Sequence, residues 1–146
     1  MGVFADLVRA RAGDPNVALR FEDESWTYDE WLQACSTRAA LFEAMRVDGA
    51  PHIGLLLENL PDFSMWSGAA ALSAATVVGI NPTRRGEGLE RDINHTECQL
   101  IVTERRHLEL LDGLDLGAAD GRVLVIDDAA YADTLAPFAD APLPTT

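Results

Sequence analysis

The sequence predicts an α/β protein: an open, doubly wound, mostly parallel sheet with helices on both faces, preceded by a small N-terminal hairpin. Three observations predict it. Nearly continuous apolar runs at 52–57, 77–80, 100–103 and 123–126 have the length of strands covered on both faces. Segments of helical periodicity separate them, which makes a repeated βα unit, and such crossovers build parallel sheets. Ahead of these units, Val17, Leu19 and Phe21 alternate in strand fashion before the acidic turn Glu22-Asp23-Glu24, and Ser25 to Thr27 follow as a second short strand.

Each element has its own signal. Val3, Phe4, Leu7 and Val8 fall at helical spacing and are closed by Gly13-Asp14-Pro15-Asn16, so a short opening helix is expected over 3–12. Thr27-Tyr28-Asp29-Glu30 has the spacing of a capping box and starts a long helix, with Trp26 and Trp31 placed as a hydrophobic staple. Leu32, Cys35, Ala39 and Phe42 continue one apolar stripe until Val47-Asp48-Gly49 ends it. Pro61 sits where a first helical residue is expected, and the helix it opens, 61–75, is rich in Gly, Ala and Ser, which allows close approach of a neighbouring backbone. Further helices are expected over 87–95, 105–111 and 130–138. Residues 1–138 then form one subdomain, and 139–146, without periodicity, read as a linker or frayed end.

Composition excludes several classes. A net charge of -13, from 24 acidic and 11 basic residues, repels phosphate backbones and anionic membranes, so no nucleic-acid partner is expected. All the basic residues are Arg, which removes a phosphate-loop lysine and a Schiff-base lysine together. Cys35 and Cys98 belong to no CxxC or Cys/His cluster and are expected to be free thiols in a cytoplasmic protein. The N-terminus has no secretory pattern. Residues 63–83 carry no charge, but their Ala, Ser, Gly and Thr content and the Asn81-Pro82 stop predict a buried helix and strand rather than a membrane span.

Residues with chemical potential form no recognisable catalytic or metal-binding set. Gly86-Glu87-Gly88 precedes a helix but lacks the third glycine of a dinucleotide fingerprint and places Glu87 where a phosphate would sit. Arg84 and Arg85 beside it are weak cofactor-binding candidates, because adjacent loop arginines are more often a solvated surface. His52, His95 and His107 lack the spacing of a helical metal pair. Asp127 and Asp128, after the last strand, are expected to cap a helix. The helix over 61–75 offers almost no polar face, so an exposed apolar surface and self-association are expected.

Three stretches resemble the adenylate-forming family of acyl-CoA synthetases, luciferases and peptide-synthetase adenylation domains. Trp26-Thr27-Tyr28-Asp29-Glu30-Trp31-Leu32 is similar to the family's early "(L/W)TYxEL" element, with Trp31 where Leu is commoner. His52 to Phe63 resembles its "VxxxLxNxPEF" strand and helix start, and Gly68 to Pro82 its "LGALxAGAVxVxxNP" segment, with Ala where the family often has Gly. Gln99 to Thr103 falls where the family has an "xxLIVT" strand, and Asn81 to Gly86 looks most like fatty acyl-CoA synthetases of actinobacteria. The resemblance implies an N-terminal scaffold of a ligase that uses ATP, Mg2+ and CoA to activate a fatty acid, first as acyl-adenylate and then as thioester. It implies no cofactor in this chain, because the family's phosphate loop and catalytic lysine lie downstream of the matched elements. Its expected partner is the remainder of the synthetase, and the chain alone is expected to be inactive. The competing reading is a stand-alone α/β binding or interaction module derived from a synthetase.

Overall fold

A computed structural model describes residues 3–145, arranged as two compact units. The first comprises the residues up to Met45, Asn59–Ala75 and those from Leu135 on; the second comprises Arg46–Glu58 and Thr76–Thr134.

The first unit opens with α1 (Val3–Arg9) and the antiparallel pair β1 (Val17–Phe21) and β2 (Glu24–Thr27). Helix α2 (Tyr28–Met45) follows. Its capping box is formed in both directions: the Thr27 amide donates to Glu30 Oε1 at 2.9 Å, and the Glu30 amide donates to Thr27 Oγ1 at 3.1 Å. Two of the donors that a helix start leaves orphaned are thereby satisfied, a device worth about 0.5–2 kcal/mol.

Helix α3 (Pro61–Leu72) begins with proline in its first turn after an extended Leu60. It packs on α2 through small residues, since a side chain at Gly68 would run into Cys35 Sγ and the Trp31 ring. Trp31 Nε1 donates to Ser64 Oγ at 2.9 Å, and the Arg38 guanidinium meets Asp62 Oδ2 at 3.0 Å. Phe42, Trp66 and Ala69 are completely buried. Met65, Trp66, Gly68, Ala69, Ala70 and Leu72 of α3 are buried and its other residues are half-buried, so the expected apolar face is largely covered within the chain. Its scarcity of charge reflects burial within the chain itself. Residues 139–145 form no helix or strand, but they are held: Gln33 Nε2 donates to the carbonyls of Ala139 and Ala141 at 3.0 Å each, and Arg9 Nε donates to that of Pro144 at 2.8 Å. Met1, Gly2 and Thr146 lie outside the described residues.

The second unit is a four-stranded, wholly parallel sheet in the order β4 (Thr76–Gly79), β3 (His52–Leu56), β5 (Cys98–Thr103), β6 (Val123–Val125). Every residue of β5 is buried, as a central parallel strand requires. Helix α4 (Gly86–His95) lays Leu89 and Ile93 against Leu56 and Ile101 on one face. The side chains of the opposite face, including Ile53, Leu55, Leu100 and Val102, are buried as well. Gly54 in β3 leaves room for Ile80, whose Cδ1 would stand 2.6 Å from a Cβ at that position. Short helices α5 (Arg105–Leu108) and α6 (Ala129–Leu135) follow β5 and β6, each continued by a 3-10 turn. The α/β class, the parallel sheet and the N-terminal hairpin are as the sequence predicts. Among the described residues no helix is long and apolar enough to cross a membrane.

Candidate functional site

Open parallel sheets bind ligands beyond the carboxyl ends of their strands, at the point where the strand order reverses direction. Here the chain passes from β3 outward to β4, then returns across β3 to β5, so the reversal falls between β3 and β5. Their ends are tied together: Leu56 pairs with Thr103, and Thr103 Oγ1 donates to the Leu56 carbonyl at 2.9 Å.

The residues just beyond this tie converge. Glu104 is buried at 6% exposure, and its Oε2 accepts from the Glu58 amide at 2.9 Å. His107, one helical turn further on, places Nε2 at 2.8 Å from Glu58 Oε2 and 3.8 Å from Glu104 Oε2. One ligand-capable atom from each of the three lies within 4.8 Å of those of the others. Glu58 remains accessible to water, with its side chain 44% exposed. Arg105, between Glu104 and His107 in sequence, turns elsewhere: its Nη2 donates to the Asp127 carbonyl at 3.3 Å and lies 3.9 Å from Asp128 Oδ1. The arrangement sets an imidazole beside a buried carboxylate and an accessible one, a donor set able to hold a cation.

Asp127 and Asp128 cap helices, as expected. Asp127 Oδ1 accepts from the Arg105 amide at 2.7 Å, at the start of α5, and Asp128 Oδ1 accepts from the Ala130 amide at 3.4 Å, at the start of α6. The arginine candidates do not converge on a ligand. Arg84 Nε donates to Asp92 Oδ2 at 3.0 Å, and Arg85 Nη1 donates to the carbonyls of Pro82 at 2.6 Å and Arg84 at 2.9 Å. His52 Nδ1 lies 2.6 Å from the Thr96 carbonyl oxygen, and His95 is exposed at the end of α4.

At the amino edge of the sheet is a pocket of about 190 Å3 whose wall includes Asp48, Glu97, Cys98 and Gln99. Gln99, buried at 1% exposure, accepts from the Val47 amide at 2.9 Å and donates to the Ala50 carbonyl at 2.8 Å, which clamps the loop entering β3. Burial pushes the Cys98 thiol up, against a lowering by its hydrogen bond to Thr96. Burial likewise raises Cys35, to about 12, against the lowering influence of Arg38. At both cysteines burial disfavours the thiolate, which is the nucleophilic form.

The fold is that of the adenylate-forming enzymes. Residues 8–144 match the family described as AMP-binding enzyme, and the chain belongs to that family. It is 46% identical over 135 residues to the steroid-22-oyl-CoA synthetase of Rhodococcus jostii (strain RHA1), covering 92% of this chain and 24% of that protein. It is 37% identical over 106 residues to the medium/long-chain-fatty-acid–CoA ligase FadD17 of Mycobacterium marinum, covering 73% of this chain and 21% of that protein. The chain therefore spans about a quarter of the length of these relatives. Among solved structures, VinN superposes with a TM-score of 0.80 at 22% identity, over 99% of this chain and 36% of VinN. The anthranilate CoA ligase AuaEII, in complex with anthranoyl-AMP, superposes with a TM-score of 0.79 at 18% identity, over 98% of this chain and 28% of that one. At these identities the two structures speak to fold alone.

Proposed function

We propose that this chain is the N-terminal scaffold of an ATP-dependent acid–thiol ligase acting in the cytoplasm, which joins a carboxylate on a large hydrophobic body, a fatty acid or a steroid side chain, to CoA. The observation that carries the reading is the 46% identity, over 92% of the chain, to a steroid-22-oyl-CoA synthetase. Residues 1–138 then serve as a subdomain of the ligase's large domain, with 139–146 as a linker or frayed end. The remainder of the synthetase is its partner.

ATP, Mg2+ and CoA are implied by the family, and the candidates in this chain do not fit them. A phosphate would have to displace Asp92 from Arg84 and would meet Glu87 in the first turn of α4. The chain contains no lysine. No chemical step is therefore assigned to a residue here; these elements contribute the sheet and helices on which the ligase is built, and the isolated chain is inactive.

Replacing the matching quarter of the Rhodococcus enzyme with this chain tests the reading. A folded chimaera that forms CoA thioesters supports it, and a folded chimaera without activity on either acid class overturns it. Thermal melts of the chain alone with Mg-ATP test its inactivity. An authentic site filled to a hundred times its dissociation constant would add about 2.7 kcal/mol, a rise of roughly 2–8 °C. No shift is expected, and a saturable one abolished by changing Arg84 and Arg85 would refute the scaffold role.

A further inference from the structure

We infer that Glu58, Glu104 and His107 form a binding site for a divalent transition metal of the zinc type, at the reversal point of the sheet. The inference does not rest on the ligase reading. Imidazole together with carboxylates suits zinc and its neighbours, whereas magnesium and calcium demand shells built almost wholly of oxygen. Ligand atoms about 2.0–2.2 Å from zinc in a tetrahedral shell stand roughly 3.2–3.6 Å from one another. The separations of His107 Nε2 from the two carboxylates, 2.8 Å and 3.8 Å, bracket that spacing, so small side-chain rotations suffice.

Four further features favour a cation there. The protein fixes the ligands in advance: the Glu58 amide orients the Glu104 carboxylate, and the strand pairing of Leu56 with Thr103 sets the distance between the two glutamates' backbones. Access is one-sided, because Glu104 is buried while Glu58 is open to water, so an ion would enter past Glu58 and keep water in its remaining positions. The neighbouring Arg105 guanidinium does not compete, since Asp127 and Asp128 hold it. A net charge of -13 adds a long-range attraction for cations.

The test is calorimetric titration of the intact chain with Zn2+ after stripping by a chelator, together with Co2+ titration followed by visible absorption. One equivalent is expected to bind saturably, with Co2+ bands of a low-coordinate nitrogen–oxygen site. His107→Gln and Glu58→Gln should each weaken binding by at least about 10-fold, the lower end of what even supporting residues of metal sites contribute. Glu58 is exposed, so E58Q keeps the test meaningful if H107Q fails to fold, as circular dichroism would reveal. His95→Gln, at an exposed histidine outside the cluster, should bind like the parent. Absence of saturable binding, several weak equivalents unaffected by the variants, or loss of binding in H95Q instead would overturn the site.

Discussion

At the scale of single residues, the strongest physical commitment is the burial of ionisable or polar groups in the helical pair. Cys35 is completely inaccessible, and its thiol is pushed up from 9.0 to about 12 by burial, with Arg38 acting in the opposite direction. A group that holds its proton more tightly when folded contributes nothing pH-dependent below about pH 9. Above that, the unfolded chain sheds its proton first and gains stability relative to the fold, so stability falls as pH rises from 9 toward 12. Each pH unit in that window removes about 1.4 kcal/mol. Urea unfolding of the parent and of Cys35→Ala between pH 8 and 10.5 should therefore show a steeper alkaline loss in the parent, even though the variant starts less stable because of its cavity. Parallel slopes would mean that Cys35 ionises in the fold as readily as in water.

At the scale of elements, the end of α3 shows both what the residues reveal and what they hide. The Pro61 start is legible because proline has few other uses there, and the Thr27-x-x-Glu30 box is legible because it is local. The stop is not: the expected helix over 61–75 ends at Leu72, where Ala75 N donates to the Ala70 carbonyl at 2.8 Å and Ala74 N to that of Ala71 at 3.4 Å. This is a Schellman cap, and its left-handed position is held by Ala74 at φ 53°, a residue that gives no such signal. Helix signals beyond β5 and β6 likewise ran on across what are 3-10 turns. The Glu58, Glu104 and His107 cluster escaped local reasoning for a related cause. Its members lie up to 49 residues apart, and only strand register brings them together. Its one sequence signal is acidic residues within two positions of the ends of two strands that turn out to be neighbours. The cap carries a prediction. Left-handed alanine costs about 1–2 kcal/mol, and glycine's extra unfolded-state entropy offsets about 0.4–1 kcal/mol of the relief. Ala74→Gly should thus raise stability by about 0.5–1 kcal/mol in urea unfolding; a loss would show that the Ala74 methyl makes packing contacts worth more than the strain.

At the scale of the whole molecule, two opposing fields decide whether the chain stays single. Self-association, expected from an apolar α3, finds more exposed apolar surface elsewhere, because no residue of α3 is fully exposed. The exposed apolar side chains gather on α1, where Val3, Phe4 and Leu7 are 77%, 55% and 60% exposed. Phe4 and Leu7 also line a groove of about 390 Å3 with Tyr28 and Trp31. Against their pairing stands the net charge of -13, which makes every approach of two copies repulsive. Salt separates the two contributions: the screening length shrinks from about 30 Å at 0.01 M to about 3 Å at 1 M, while burial of apolar surface is not weakened. We therefore expect sedimentation equilibrium to give a nearly monomeric mass at low salt and a mass that rises with both protein and sodium chloride concentration. Leu7→Glu adds charge to the apolar patch at an exposed position of α1, and should hold the chain monomeric throughout. A mass that stays constant across salt in the parent, or rises equally in the variant, would show that α1 does not mediate contact between copies.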